Sequence, residues 1–149
     1  QLICSSLSQQ IRNNFDNIDI ILSPAIGGIV VGYEIGRQLS LETIFAEREE
    51  GKLILRRGFK ILKNSNVLVV EDVITTGKSA LECSKLIEES KSNLIGYACI
   101  IDRSKENTLI KGKIISQIKL KIETFKSTDL PANLKKIKPV KPGSRNLSK

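Results

Sequence analysis

The stretch that most constrains this fold is an uninterrupted apolar run, Val67-Leu68-Val69-Val70, that ends in two adjacent acids, Glu71 and Asp72. Val73 and Ile74 follow, then a turn rich in hydroxyls, Thr75-Thr76-Gly77-Lys78-Ser79. Beyond the turn, Ala80, Cys83, Leu86 and Ile87 recur at helical spacing. A strand without a polar face must be covered on both sides, which is the situation of a parallel strand inside an α/β sheet. In such sheets ligands bind beyond the C-terminal ends of the strands, where two glycine-bearing loops lie, the one after Ser23 and the one after Glu71.

Each part of that stretch has a chemical use. The turn opens a helix, so its free backbone N–H groups and the helix dipole favour an anion. Gly77 lets the backbone curl tightly, and Thr75, Thr76 and Ser79 add hydroxyl donors. Two carboxylates would repel a phosphate held there, so they must address something else, such as sugar hydroxyls or a cationic intermediate. A sugar phosphate satisfies both ends. The triplet Gly77-Lys78-Ser79 is also how a nucleotide-triphosphate P-loop ends, but that motif needs a glycine five residues before Gly77, and position 72 is Asp. A plain strand–turn–helix with a capped helix start accounts for the Thr and Gly residues but not for paired acids ending a buried strand.

The remaining pattern alternates strand and helix. Residues 18–23 read as a buried strand, followed by a turn at residues 24–28 and a helix with Val31, Ile35 and Leu39 on one side. Residues 43–46 and 52–57 read as the arms of a hairpin around Glu49-Glu50-Gly51. A strand is expected at residues 94–102, and two short ones near 113–117 and 119–125. This order predicts a mainly parallel twisted sheet flanked by helices. At 149 residues one domain is expected, with a core at 1–125 and a basic tail at 126–149. The tail holds seven Lys/Arg and one Asp, so it carries +6 of the net +8. The basicity therefore belongs to a solvated tail more than to a nucleic-acid surface.

Composition excludes several chemistries. With no histidine, neither a Ser-His-Asp triad nor a His-ligated zinc site can form. Cys4, Cys83 and Cys99 lack metal spacing and read as buried free thiols of a reducing cytoplasm. No apolar run is long enough to span a membrane, and no signal peptide is visible. The chain has no methionine and opens within an apparent amphipathic helix (Ile3, Leu7, Ile11), so a preceding N-terminal portion is expected.

The stretch from Val67 to Ser79 resembles the phosphoribosyl pyrophosphate (PRPP) loop of type I phosphoribosyltransferases. Four further segments make the chain similar to the orotate phosphoribosyltransferase family: Ser23-Pro24-Ala25-Ile26-Gly27-Gly28, Phe45-Ala46-Glu47-Arg48, Leu55-Arg56-Arg57-Gly58-Phe59 and Ile101-Asp102-Arg103. Lys141-Pro142-Gly143-Ser144-Arg145 also matches that family's end. The resemblance implies the type I fold, with a hairpin or flexible loop over the site, and transfer of a phosphoribosyl group from PRPP to orotate. It implies Mg²⁺ held mainly by PRPP, a homodimer whose loop near Arg48–Arg57 reaches the neighbouring site, and no nucleic-acid or membrane partner. Glu71 and Asp72 would face the ribose, and Glu71, Asp72, Val73, Ile74, Thr75, Thr76, Gly77, Lys78 and Ser79 would together bind PRPP. Thr75 would also lie against orotate, and Arg103 would pair with the orotate carboxylate. Arg48 and Lys52, with Arg56 and Arg57, would meet the leaving diphosphate.

The sequence departs from parts of the family pattern. Some members carry a lysine at the position of Gly28, and others a lysine and a histidine in the mobile loop. A Cys-Pro-x-Cys segment common before the tail is replaced by Lys135-Lys136-Ile137-Lys138. Two alternatives share the loop: a purine-type phosphoribosyltransferase, in which Arg103 would have no carboxylate to bind, and a non-enzymatic PRPP sensor that binds nucleic acid.

Overall fold

The computed structural model describes residues 2–104, 108–138 and 140. Its element order is α1 (Leu2–Arg12), β1 (Ile20–Pro24), α2 (Gly27–Leu39), β2 (Glu42–Glu49), β3 (Lys52–Leu55), β4 (Asn66–Ile74), α3 (Lys78–Glu89), β5 (Asn93–Asp102), β6 (Ile114–Lys119) and the short α4 (Ala132–Lys135). The six strands form one sheet in the order β3-β2-β1-β4-β5-β6. All neighbours are parallel except β2 and β3, which are antiparallel. The strand order reverses between β1 and β4, leaving a crevice beyond their C-terminal ends, which is where open α/β sheets bind ligands.

Side chains of alternate residues build two apolar layers. Leu68 and Val70 of β4 join Ile21, Val31 and Ile35 under α1 and α2. Val67 and Val69 join Leu22, Ile44, Ala80 and Ile87 under α3. Each such fully buried aliphatic side chain stabilises the fold by roughly 1.5–3 kcal/mol relative to exposure. Gly32 lets α2 lie close on β1, since a Cβ there would collide with the Ser23 hydroxyl.

Several expectations change in detail. Strand β4 does not stop at its acids but continues to Ile74, because β5 still offers partners there: Val73 pairs with Ile101 and Ile74 with Asp102. The hairpin turns on Glu50 (φ 47°) and Gly51 (φ 84°), a two-residue left-handed loop suited to antiparallel strands. In α1 the buried stripe is Cys4, Leu7, Ser8 and Ile11, whereas Ile3 is 56% exposed. Spacing alone could not separate position 3 from position 4, since both lie near the same helix face. One strand replaces the two expected after residue 112: β6 ends at Lys119, and residues 120–125 form no strand. The family-like segment at 141–145 lies outside the described residues. All three cysteines are buried and free. Burial pushes the Cys99 thiol up to about 12 and the Cys83 thiol higher, so neither is nucleophilic at neutral pH.

Candidate active site

Two helix entrances open onto the sheet's C-terminal edge from opposite faces. Helix α2 begins at Gly27 and α3 at Lys78; neither N-cap residue supplies a side-chain cap, and at the α3 entrance Lys78 N makes a long bond to Thr76 Oγ1 (3.4 Å). Helix N-termini whose N-cap side chains leave amides to spare favour anions. The α3 entrance is shaped by Gly77, whose φ of +79° is left-handed. A Cβ on Gly77 would stand 2.6 Å from Ile110 Cγ1, so only glycine fits without displacing the segment behind the turn. That segment also ties to the turn directly: Leu109 N donates to Thr76 O (3.3 Å). Thr75, Thr76 and Lys78 are exposed, and Ser79 is half-buried.

The adjacent acids diverge, because successive strand residues point to opposite faces. Asp72 follows Leu68 and Val70 toward α2, and a Cβ on Gly27 would collide with its carboxylate. It therefore sits in the crevice between β1 and β4. Glu71 follows Val67 and Val69 toward α3, where its charge is felt by the Cys83 thiol. Glu71 is only 6% exposed, and its Oε1 is buried without a hydrogen-bond partner. Burial, and secondarily the negative charge of Asp72, push its carboxyl up to about 7. Val73 is half-buried, and Ile74 packs into the layer under α3.

Arg103 follows directly after β5. Its backbone N donates to Ile74 O (2.8 Å), which fixes it beside the end of β4. Its Nε is buried without an acceptor. It lines a cavity of about 950 Å³ together with Asp102, Ser104, Thr108, Ile110 and Lys119. Asp102 is engaged elsewhere: its carboxylate accepts from Ser104 N (2.8 Å) and lies 3.6 Å from Lys119 Nζ. A buried guanidinium donor facing a cavity is suited to a planar anionic ligand.

The hairpin cations are largely spoken for by acids. Arg57 pairs with Glu47 (2.9 Å) and Arg56 with Glu49 (3.1 Å). Arg48 reaches across to Glu82 of α3 (2.6 Å), while Lys52 is exposed at the start of β3. Sequence reasoning placed the Gly27-Gly28 loop at a ligand-binding strand end without giving Gly27 a role of its own, and singled out neither Glu82 nor the Thr108–Ile110 segment. Nothing in the sequence points to the last two, since their partners are 30 or more positions away.

A family profile described as the phosphoribosyl transferase domain matches residues 1–132. The chain is similar to the orotate phosphoribosyltransferase of Methylorubrum extorquens (strain PA1), with 45% identity over 99% of this chain and 76% of that protein. The orotate phosphoribosyltransferase of Maricaulis maris (strain MCS10) is 40% identical over 98% of this chain and 76% of its own length. Among solved structures, adenine phosphoribosyltransferase from Thermoanaerobacter pseudethanolicus superposes with a TM-score of 0.69 at 17% identity, covering 80% of this chain and 79% of its own. That likeness is one of fold.

Proposed function

This chain belongs to the orotate phosphoribosyltransferase family, and from that premise we propose how its residues divide the reaction. The enzyme transfers the phosphoribosyl group of PRPP to orotate, giving orotidine 5′-phosphate and diphosphate for pyrimidine biosynthesis. The bond from ribose C1 to the diphosphate oxygen breaks, and a bond from C1 to the orotate ring nitrogen forms. The transition state has oxocarbenium character, so catalysis is mainly positioning and charge stabilisation.

In this reading the amides and hydroxyls of residues 75–79 hold the 5′-phosphate at the α3 entrance. Asp72, in the crevice, addresses the ribose; for Glu71, turned to the α3 side, that role rests on the family resemblance. Thr75 borders orotate, and Arg103 receives its carboxylate. Arg48 and Lys52 supply positive charge toward the leaving diphosphate. The observation that carries the base assignment is the Arg103 Nε, buried at a cavity edge without an acceptor. A buried cationic donor is costly to leave unpaired, and a ligand carboxylate would satisfy it.

Magnesium is part of the proposal. Among the described residues no cluster of three or more His, Cys, Asp or Glu could cage a metal ion. A lone crevice carboxylate fits an ion that arrives on diphosphate and ribose oxygens and keeps its waters. When bound, Mg²⁺ would neutralise charge on the diphosphate. We also propose a homodimer, in which hairpin residues beyond Arg48 reach the neighbouring site while Arg48 stays paired with Glu82 of its own chain, and a cytoplasmic location. Among the described residues no helix is long and apolar enough to cross a membrane.

The test is an absorbance assay of orotate consumption with PRPP and Mg²⁺ in the full-length protein. Turnover of orotate, but not of adenine or hypoxanthine, is expected. Turnover of a purine base instead would overturn the Arg103 assignment. Salt-dependent RNA or DNA binding without any turnover would point to a regulator.

A further inference from the structure

Two of the three hairpin arginines are neutralised within the hairpin, Arg56 by Glu49 and Arg57 by Glu47. Arg48 is held differently. It projects from β2 on the same side as Ile44 and Ala46, toward α3. One terminal nitrogen donates to the Gly51 carbonyl at the hairpin turn, and the other donates to Glu82 Oε2 at 2.6 Å. Glu82 lies one turn into α3, and its other oxygen is 3.9 Å from Lys78 Nζ at the helix entrance. A single carboxylate thus gathers one cation from the hairpin and one from the phosphate turn.

We infer that Glu82 is a positioning residue for phosphoribosyl transfer, holding the Arg48 guanidinium beside the α3 entrance so that it is already in place when the substrate's phosphates arrive. The inference rests on the proposed roles of the residue 75–79 turn and of Arg48. A guanidinium has five N–H donors in a planar fork, and the bonds to Gly51 and Glu82 use two. Donors therefore remain for phosphate oxygens while the fork stays oriented. A cation fixed before the reaction need not be reorganised during it, which is how preorganised charge lowers a barrier. Glu82 also offsets the repulsion between Arg48 and Lys78 while no phosphate separates them.

Exposure separates this role from a structural one. The Arg48 and Glu82 side chains are 36% and 21% exposed. Ion pairs this accessible to water contribute little to stability. Removing Glu82 should therefore disturb the kinetics more than the fold.

The test compares Glu82→Ala, Glu82→Gln, Arg48→Ala and the double variant Arg48→Ala/Glu82→Ala in the full-length enzyme. Glu82→Ala is expected to lower kcat/KM for PRPP about two- to fivefold, with KM for orotate unchanged. Glu82→Gln keeps an acceptor for Arg48 and should fall between. In the Arg48→Ala background, removing Glu82 should change nothing further. The inference is overturned if the loss persists undiminished in that background, if Arg48→Ala itself has no effect, or if Glu82→Ala matches the wild type. Should Glu82→Ala fail to fold, the near-isosteric Glu82→Gln carries the same comparison. A wild-type enzyme that turns over no orotate would instead sink the parent reading, which is a separate result.

Discussion

Replacing Glu71 by Gln should stabilise the folded protein, and only at neutral to alkaline pH. Glu71 is buried beneath α3 with an unpartnered oxygen, and its carboxyl rises from 4.5 to about 7 on folding. The sign follows from which state binds the proton more tightly. Below pH 4.5 the group is protonated folded and unfolded, and it contributes no penalty. Between 4.5 and about 7 the unfolded chain releases the proton while the folded one retains it, so stability falls as pH rises. Above that window both states are ionised, and the penalty levels off at about 3 kcal/mol. Glutamine fills the same space without a charge. Urea denaturation at pH 8 should show the variant more stable by up to about 3 kcal/mol, a measurable share of a domain's 5–15 kcal/mol. At pH 4.5 the advantage should vanish. Asp72→Asn should narrow the window, because the neighbouring charge is the second cause of the shift. An equal stability difference at both pH values would refute the reasoning, since a packing effect has no reason to track a titration.

Asp72→Asn or Thr76→Ala should lower kcat/KM for PRPP at least about tenfold, or about 1.4 kcal/mol; unchanged kinetics would count against the turn's assignment. Arg103→Ala should raise KM for orotate much more than KM for PRPP. It should not lower the melting temperature, because it removes a buried Nε that has no partner; equal effects on both substrates would argue against its carboxylate role. Gly77→Ala combines a left-handed backbone with a collision at Ile110, and should destabilise by about 1–3 kcal/mol in thermal unfolding. A change below about 0.5 kcal/mol would mean that the turn relaxes freely.

The sequence determined what is local. The unbroken run from Val67 to Val70 required cover on both faces, and the two acids followed by a glycine turn marked a helix entrance suited to an anion. These conclusions need only side-chain periodicity and backbone freedom, which neighbouring residues set among themselves. The hairpin was legible for the same reason, as Glu50-Gly51 supplies the left-handed turn it requires. What depended on partners was not legible. How far β4 extends was decided by β5 beside it, and the absence of a strand at residues 120–125 followed where β6 ended. The sequence reading sent Glu71 and Asp72 together toward the ribose, whereas the pleat of β4 turns them to opposite faces. That one meets a dry helix face and the other a crevice depended on which helix covers each side of the sheet. Arg48 finds Glu82 across 34 positions because packing α3 against the hairpin brings them together. Such contacts are set by the closure of the whole sheet, and no window of sequence contains both ends of them.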